Sequence, residues 1–359
     1  MTPSTRRGRW LPALAIAAIG LTLAVASRSP LAGARHTAVP DEPSQPLVPN
    51  PAEPEAAVPP ALADTVAAVD RLLAARWKDA GIEPAEPAEG LTVLRRAWLA
   101  LAGTIPSLEE VRRFENDPRP GRINHAIESL LAERRSAESL ARRLAPALVG
   151  NEQGQFVVFR RDRFTTWLAD QFHANRPWDA TVRDMIASRG LWTDTPAVNF
   201  VTQAVEQGRV NADKLAGRVS RAFLGQRIDC AQCHDHPFAA WKQPQFEGLA
   251  ACFAQARLTG VGIEDDPRRV HTIDAMSPAA LAMPMQGSRN VPPRVPYGSE
   301  WFPDAGTHRE NLASWIVHQD NRRFDRAIVN RAWWLLFGKA WHEPVDDLPD
   351  PPPASVDAA

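Results

Sequence analysis

The sequence predicts a mainly α protein: an irregular helical array joined by long Pro/Gly-rich loops and preceded by an N-terminal signal or anchor segment. Three observations carry this. Apolar residues recur at helical spacing through most of the chain, with polar or acidic starts and Gly or Pro stops. The 33 Pro and 20 Gly gather in the connections between those stretches. There are 12 Trp against one Tyr, and no alternating strand pairs with Asn-Gly turns or fixed-period repeats occur.

The first element is an export signal. Arg6, Arg7 and Arg9 precede an uncharged apolar run from Trp10 to Ala26, and Ala24-Val25-Ala26 offers a small-residue cleavage site before Ser27. Residues 1–26 are therefore read as a signal peptide or as a retained membrane anchor, since residues 10–26 reach the lower edge of spanning length. Either outcome exports the body, to a periplasmic or cell-surface location, possible anchoring to the inner membrane included. Residues 27–60, dense in Pro, Ala and acids, cannot build a core and read as a linker.

The folded body is expected over 61–258, opening with a helix that repeats Val66, Val69, Leu72 and Leu73. The next helix puts Leu94, Ala97, Trp98 and Leu101 on one face and stops at Gly103. Ser107 with Glu110 forms a capping-box pattern, and further helices are read at about 122–133, 136–145, 162–173, 179–188 and 210–225. The stretch PQFEGLAACFAQARL reads as one more helix, with Phe246, Leu249, Ala250 and Phe253 inward and Cys252 as a small buried hydrophobe. Residues 259–305 are expected to be a long loop or linker, 306–346 the start of a second helical domain, and 347–359 a disordered tail.

With 41 basic and 42 acidic residues the formal charge is -1, which disfavours nucleic acid as a partner. No phosphate-cradling Gly-rich loop, HExxH pattern or Gly-x-Ser-x-Gly elbow occurs, so hydrolase and nucleotide chemistry are unsupported.

The chemistry is concentrated in Cys230-Ala231-Gln232-Cys233-His234-Asp235-His236. It contains C-x-x-C-H, the haem-attachment signature, in which two thiols reach the two vinyl groups and the adjoining imidazole becomes the proximal iron ligand. Covalent haem c on Cys230, Cys233 and His234 is the leading expectation. The alternatives are a zinc-type set of Cys230, Cys233, His234 and His236, and a Cys230–Cys233 disulfide in a structural or interaction module. Two residues of chain cannot carry His236 to the far face of a macrocycle. Distal candidates are therefore Met283, Met285 and His271, followed by His308 and His318. Phe238, Trp241 and Phe246 could wall a haem, and Arg160, Arg161 and Arg163 could neutralise its propionates. An electron-transfer or redox role with a redox partner protein fits better than a defined enzyme, although an open iron would also suit a peroxidase-like role.

Four stretches carry a family resemblance: LTVLRRAWLALAGTIPSLEEVRRFEND, FTTWLADQFHANRPWDATVRDMIAS, FLGQRIDCAQCHDHPFAAWKQPQFEGLAACF and HRENLASWIVHQDNRRFDRAIVNRAWWLLFGKAWHEPVDDL. The first three resemble the cytochrome-c-like family of unknown function abundant in Planctomycetes. The fourth resembles the opening of the partner domain, also of unknown function, that usually follows. The resemblance implies haem attachment through Cys230, Cys233 and His234, and a second domain shortened relative to fuller relatives.

Overall fold

A computed structural model describes residues 60–152, 154–273 and 287–350, with side chains from residue 63 onward. The described chain is mainly helical, as expected. It divides into two compact units, residues 1–84 and 85–359. In the first, the described element is helix α1 (Pro60–Asp79), on which Val69 and Leu73 are half-buried while Val66 and Leu72 are exposed. Among the described residues no helix is long and apolar enough to cross a membrane; the apolar run 10–26 lies outside them.

The second unit opens with α2 (Gly90–Leu101), α3 (Leu108–Glu115) and α4 (Arg122–Ala132), which close a small core of Leu94, Trp98, Ala102, Phe114 and Leu130. The predicted stripe of α2 is the buried one, with Ala97 and Leu101 packed beside it. Gly103, at φ 69°, takes the left-handed conformation that ends α2 at little steric cost. The capping box forms: the Glu110 amide donates to Ser107 Oγ at 3.2 Å, and the Ser107 amide to Glu110 Oε2 at 2.6 Å.

The larger core is built by α5 (Arg134–Val149), α6 (Arg161–His173), α7 (Trp178–Ala187), the short α8 (Asn199–Thr202), α9 (Ala212–Val219) and α10 (Gln243–Ala251). Helix α5 packs along α6, and α9 packs against α10. The helix expected over about 210–225 runs as α9 from its Asn211 cap and continues directly as a π turn over Ser220–Leu224 that stops at left-handed Gly225. Before it, β1 (Val205–Glu206) pairs with β2 (Arg209–Val210) across Gln207 and Gly208, both at positive φ, as a tight hairpin turn requires.

The last residues of the stretch read as a helix through Leu258 are instead strand β3 (Ala256–Thr259), paired with β4 (Gly262–Asp265). Helix α10 ends at Ala251 because the chain must turn back there to bury Ile263. Gly262 permits the return. A Cβ there would lie 2.0 Å from the Gly190 carbonyl oxygen, and Ile263 exchanges both main-chain hydrogen bonds with Gly190 at 2.9 Å. A third hairpin joins β5 (His271–Ile273) to β6 (Arg289–Val291).

Helices α11 (His308–Ile316) and α12 (Arg322–Phe337) complete the same core, to which Leu312, Ala313, Trp315, Ile316, Phe324 and Leu335 belong. Arg309 is 0% exposed. It grips both Asp265 carboxylate oxygens at 2.8 and 2.7 Å and donates to the Ile186 and Ser188 carbonyls at 2.8 and 3.0 Å. The segment 259–305 thus supplies, through β4, the acid that seats α11 on the body. Beyond α12, the Leu348 amide donates to the Gly225 carbonyl at 2.7 Å.

Candidate functional site: a surface turn with two thiols

Between Gly225 and α10 the chain crosses the surface as a turn pinned from below. Ile228 and Ala231 are buried in the core, and the single 3₁₀ turn Asp229–Gln232, which follows Ile228 and contains Ala231, leaves Cys230 exposed and Cys233 half-buried. The Cys233 and His234 amides both donate to the Cys230 carbonyl, at 3.3 and 3.4 Å, so the two thiols and the imidazole arise from one tight loop of backbone. Buried Trp241 closes the far end: its carbonyl accepts from the His236 amide at 2.8 Å, and its indole N–H donates to Gln226 at 3.0 Å. Asp235 accepts from the Gln243 amide at 3.0 Å and pairs with Lys242 at 3.0 Å, which together hold its carboxyl below the usual range.

Of the three aromatic residues beside the motif, Trp241 and Phe246 belong to the core, whereas Phe238 is 94% exposed. With Pro237, Ala239 and Ala240 also exposed, the turn carries an uncovered apolar shoulder next to its thiols.

The two imidazoles are set in opposite senses. His234 Nδ1 lies 2.7 Å from the Asp235 carbonyl oxygen. A carbonyl can only accept, so Nδ1 carries the proton and the neutral ring holds its lone pair on Nε2, the arrangement that metal-ligating histidines use. His236 Nδ1 instead accepts from the Phe238 amide at 3.2 Å. Its proton sits on Nε2, and the neutral ring presents no free lone pair.

All three cysteines are free thiols. Cys252 is wholly buried at the end of α10, where burial pushes its thiol up to about 12 and its Sγ meets the Gly248 carbonyl at 3.5 Å. Among the described residues, no three His, Cys, Asp or Glu side chains converge as a metal cage. His271 approaches the motif indirectly: its Nε2 lies 3.6 Å from Asp213 Oδ1, and Asp213 Oδ2 accepts from Gln232 at 3.3 Å. Burial raises the Asp213 carboxyl and lowers His271. His318 stacks on Trp301 with ring centroids 5.0 Å apart, and His308 opens α11. Met283 and Met285 lie outside the described residues.

Arg161 and Arg163 are engaged by main-chain carbonyls, Arg161 at Glu152 (2.7 Å) and Arg163 at Thr193 (3.0 Å), while Arg160 lies over the Phe156 ring at 4.0 Å. A cleft of about 370 Å³ opens on the other side of the turn, lined by Asp213, Lys214, Arg218 and Arg221 of α9 and the π turn, with Asp229 and Gln232 of the motif turn. Sequence reasoning missed this face of α9. The available signal was its Asn-cap followed by Asp213, Lys214, Arg218 and Arg221, charges at one-turn spacing directly upstream of the cysteines.

The class these features define is a mainly helical body whose surface turn carries two free thiols and one exposed imidazole held through Nδ1. The model of PSCyt2, described as a protein of unknown function (DUF1549), matches residues 68–258, more than half of the chain, and the chain belongs to that family. The model of PSD1, a protein of unknown function (DUF1553), matches residues 308–355, so the two domains stand in the expected order. No curated protein and no solved structure matches the chain.

Proposed function

We propose that the chain is an extracytoplasmic c-type haem protein of the planctomycete cytochrome-like kind, serving electron transfer with a redox partner protein. The observation that carries the reading is that one tight surface turn presents two free thiols, Cys230 exposed and Cys233 half-buried, together with exposed His234, whose Nδ1 is engaged by the Asp235 carbonyl. The residues fit the group: Cys230 and Cys233 would hold haem c and His234 would ligate its iron from the proximal side. When bound, the haem would supply one-electron ferrous–ferric cycling.

Cys230 and Cys233 would each hold the group through a thioether, the S–H adding across a vinyl double bond with no oxidant or reductant consumed. Asp235 O orients the His234 ring, and the exposed Phe238 shoulder offers apolar cover. The export signal at Arg6, Arg7, Arg9 and residues 10–26 supports a location where such attachment is made. The zinc alternative is weakened by His236, whose neutral ring leaves that set one donor short.

The test is expression of the full chain in a host with an extracytoplasmic haem-maturation system, followed by intact mass and the reduced visible spectrum. The expected result is one covalent haem that is lost when Cys230 and Cys233 are both changed to alanine. Unmodified thiols, or stoichiometric zinc in place of haem, would overturn the reading.

A further inference from the structure

We infer that residues 346–350, from the part of the chain that the PSD1 model matches, form a strap that positions the cysteine turn of the PSCyt2-matched part, acting through Gln226 and Arg323 on Trp241. Such a strap acts on the shape of the turn whatever its thiols hold. Residues 347–350, read from the sequence as the start of a tail, are instead fastened at several points.

The chain leaves α12 and is led back by Asn330, whose Nδ2 donates to the His342 and Val345 carbonyls at 2.9 and 3.4 Å and whose Oδ1 accepts from the His342 amide at 2.8 Å. Asp346 then accepts from Arg227 Nε and Nη2 at 3.0 and 2.6 Å, and Asp347 from the Arg227 amide at 3.2 Å. Leu348 is buried, and its amide lies 2.7 Å from the Gly225 carbonyl. Gly225 makes room for it, since a Cβ there would stand 2.9 Å from Leu348 Cδ1. Arg326 donates to the Pro349 carbonyl at 2.9 Å, and Arg323 pairs with Asp350. The strap therefore lies across Gly225, Gln226 and Arg227, directly before the turn.

Two bridges run from the strap to the turn, and both end on Trp241. Buried Gln226 donates through Nε2 to the Leu348 carbonyl at 2.5 Å and accepts at Oε1 from the Trp241 indole N–H at 3.0 Å. Only one orientation of the amide serves both, because a carbonyl must face the indole N–H and an amino group the Leu348 carbonyl. Gln226 precedes the turn and Trp241 closes it, so one side chain ties the two ends together while the strap holds that side chain. The second bridge is Arg323, whose guanidinium carbon lies 5.5 Å from the Trp241 ring centroid and 5.3 Å from that of Tyr297. Trp241 in turn holds the His236 amide through its carbonyl at 2.8 Å. With the strap withdrawn, Gln226 keeps a buried donor without its acceptor, a state relieved by rotating the amide or admitting water, and either release frees Trp241. Cys230 is already exposed and gains little from such an opening, whereas half-buried Cys233 gains most.

The test labels the full, reduced apo chain with iodoacetamide, follows each cysteine by peptide mass spectrometry and measures hydrogen exchange of residues 345–350. In the triple variant Asp346→Asn, Asp347→Asn, Leu348→Ala, residues 345–350 should exchange faster and Cys233 should label about tenfold faster, with Cys230 changed by less than about twofold and Cys252 still protected. Gln226→Met leaves the Arg227 contacts of Asp346 and Asp347 in place and should speed Cys233 labelling by at least about threefold, so it reads the same coupling if the triple variant folds poorly. General destabilisation would raise the Cys233 and Cys252 rates together; release of the strap raises that of Cys233 alone. An unchanged Cys233 rate in Gln226→Met, or in the triple variant with residues 345–350 deprotected, overturns the strap. Cys252 labelling in step with Cys233 in Gln226→Met also overturns it, because the whole body would then be opening.

Discussion

The seam that seats α11 and the turn that carries the cysteines use the same side-chain chemistry to opposite ends. At the seam, Arg309 and Asp265 are stripped of water and saturate each other together with two carbonyls. On the turn, Cys230 and His234 remain exposed, and the hydrogen bonds around them fix orientation without covering them. Burial turns a polar contact into a condition for folding. Exposure leaves the side chain available for a reaction partner.

This contrast can be broken from its strong end first. Arg309→Ala would leave the buried Asp265 carboxylate with only the partly exposed Arg189 at 3.1 Å, and two carbonyls unpaired, and should cost about 3–5 kcal/mol in chemical denaturation. A loss below about 1 kcal/mol would show that the seam is far wetter than its burial implies.

An intermediate case sharpens the comparison. Burial raises the Glu110 carboxyl, but hydrogen bonds from Arg135 and Ser107 outweigh it and bring it from 4.5 down to about 2. A carboxyl lowered by folding contributes its stability above the unfolded value and loses it as pH falls through the folded one. Stability should therefore decline between about pH 4.5 and pH 2, by at most about 3 kcal/mol, with a flatter profile in Glu110→Gln. An unchanged profile in that variant would remove Glu110 from the account.

The smallest effect belongs to the turn. Changing Cys230 and Cys233 together to alanine should alter stability by less than about 0.5 kcal/mol, because Ile228, Ala231 and Trp241 keep the anchoring. In the reduced native apo chain, iodoacetamide should modify Cys230 and Cys233 while Cys252 reacts only on unfolding. Native labelling of Cys252 would contradict the packing of α10.

Much of the helical frame was legible because it rests on local rules. The stripe of α2, the Ser107–Glu110 box and the Gly103 stop all follow from residues three or four apart. The hairpins were not legible, since strands of two to four residues set no period and Ala256–Thr259 continues an apolar run that suits a helix equally well. Within the site, the motif announced Cys230, Cys233 and His234, but the cleft on α9 lies outside its spacing. Asp265 gave no sign of its tie to Arg309, 44 positions away.

By itself the sequence determined the helical class, the order of the two domains and the identity of the thiols and imidazole, because periodicity, caps and motifs are written in neighbouring residues. Only the tertiary structure decided that Cys230 is exposed while Cys252 is buried, that His234 and His236 carry their protons on different nitrogens, and that Arg309 and Asp265 meet in a buried pair. The physical reason is common to all three. Solvent access and hydrogen-bond partners are set by whatever backbone and side chains folding brings alongside, and some of those come from distant parts of the chain.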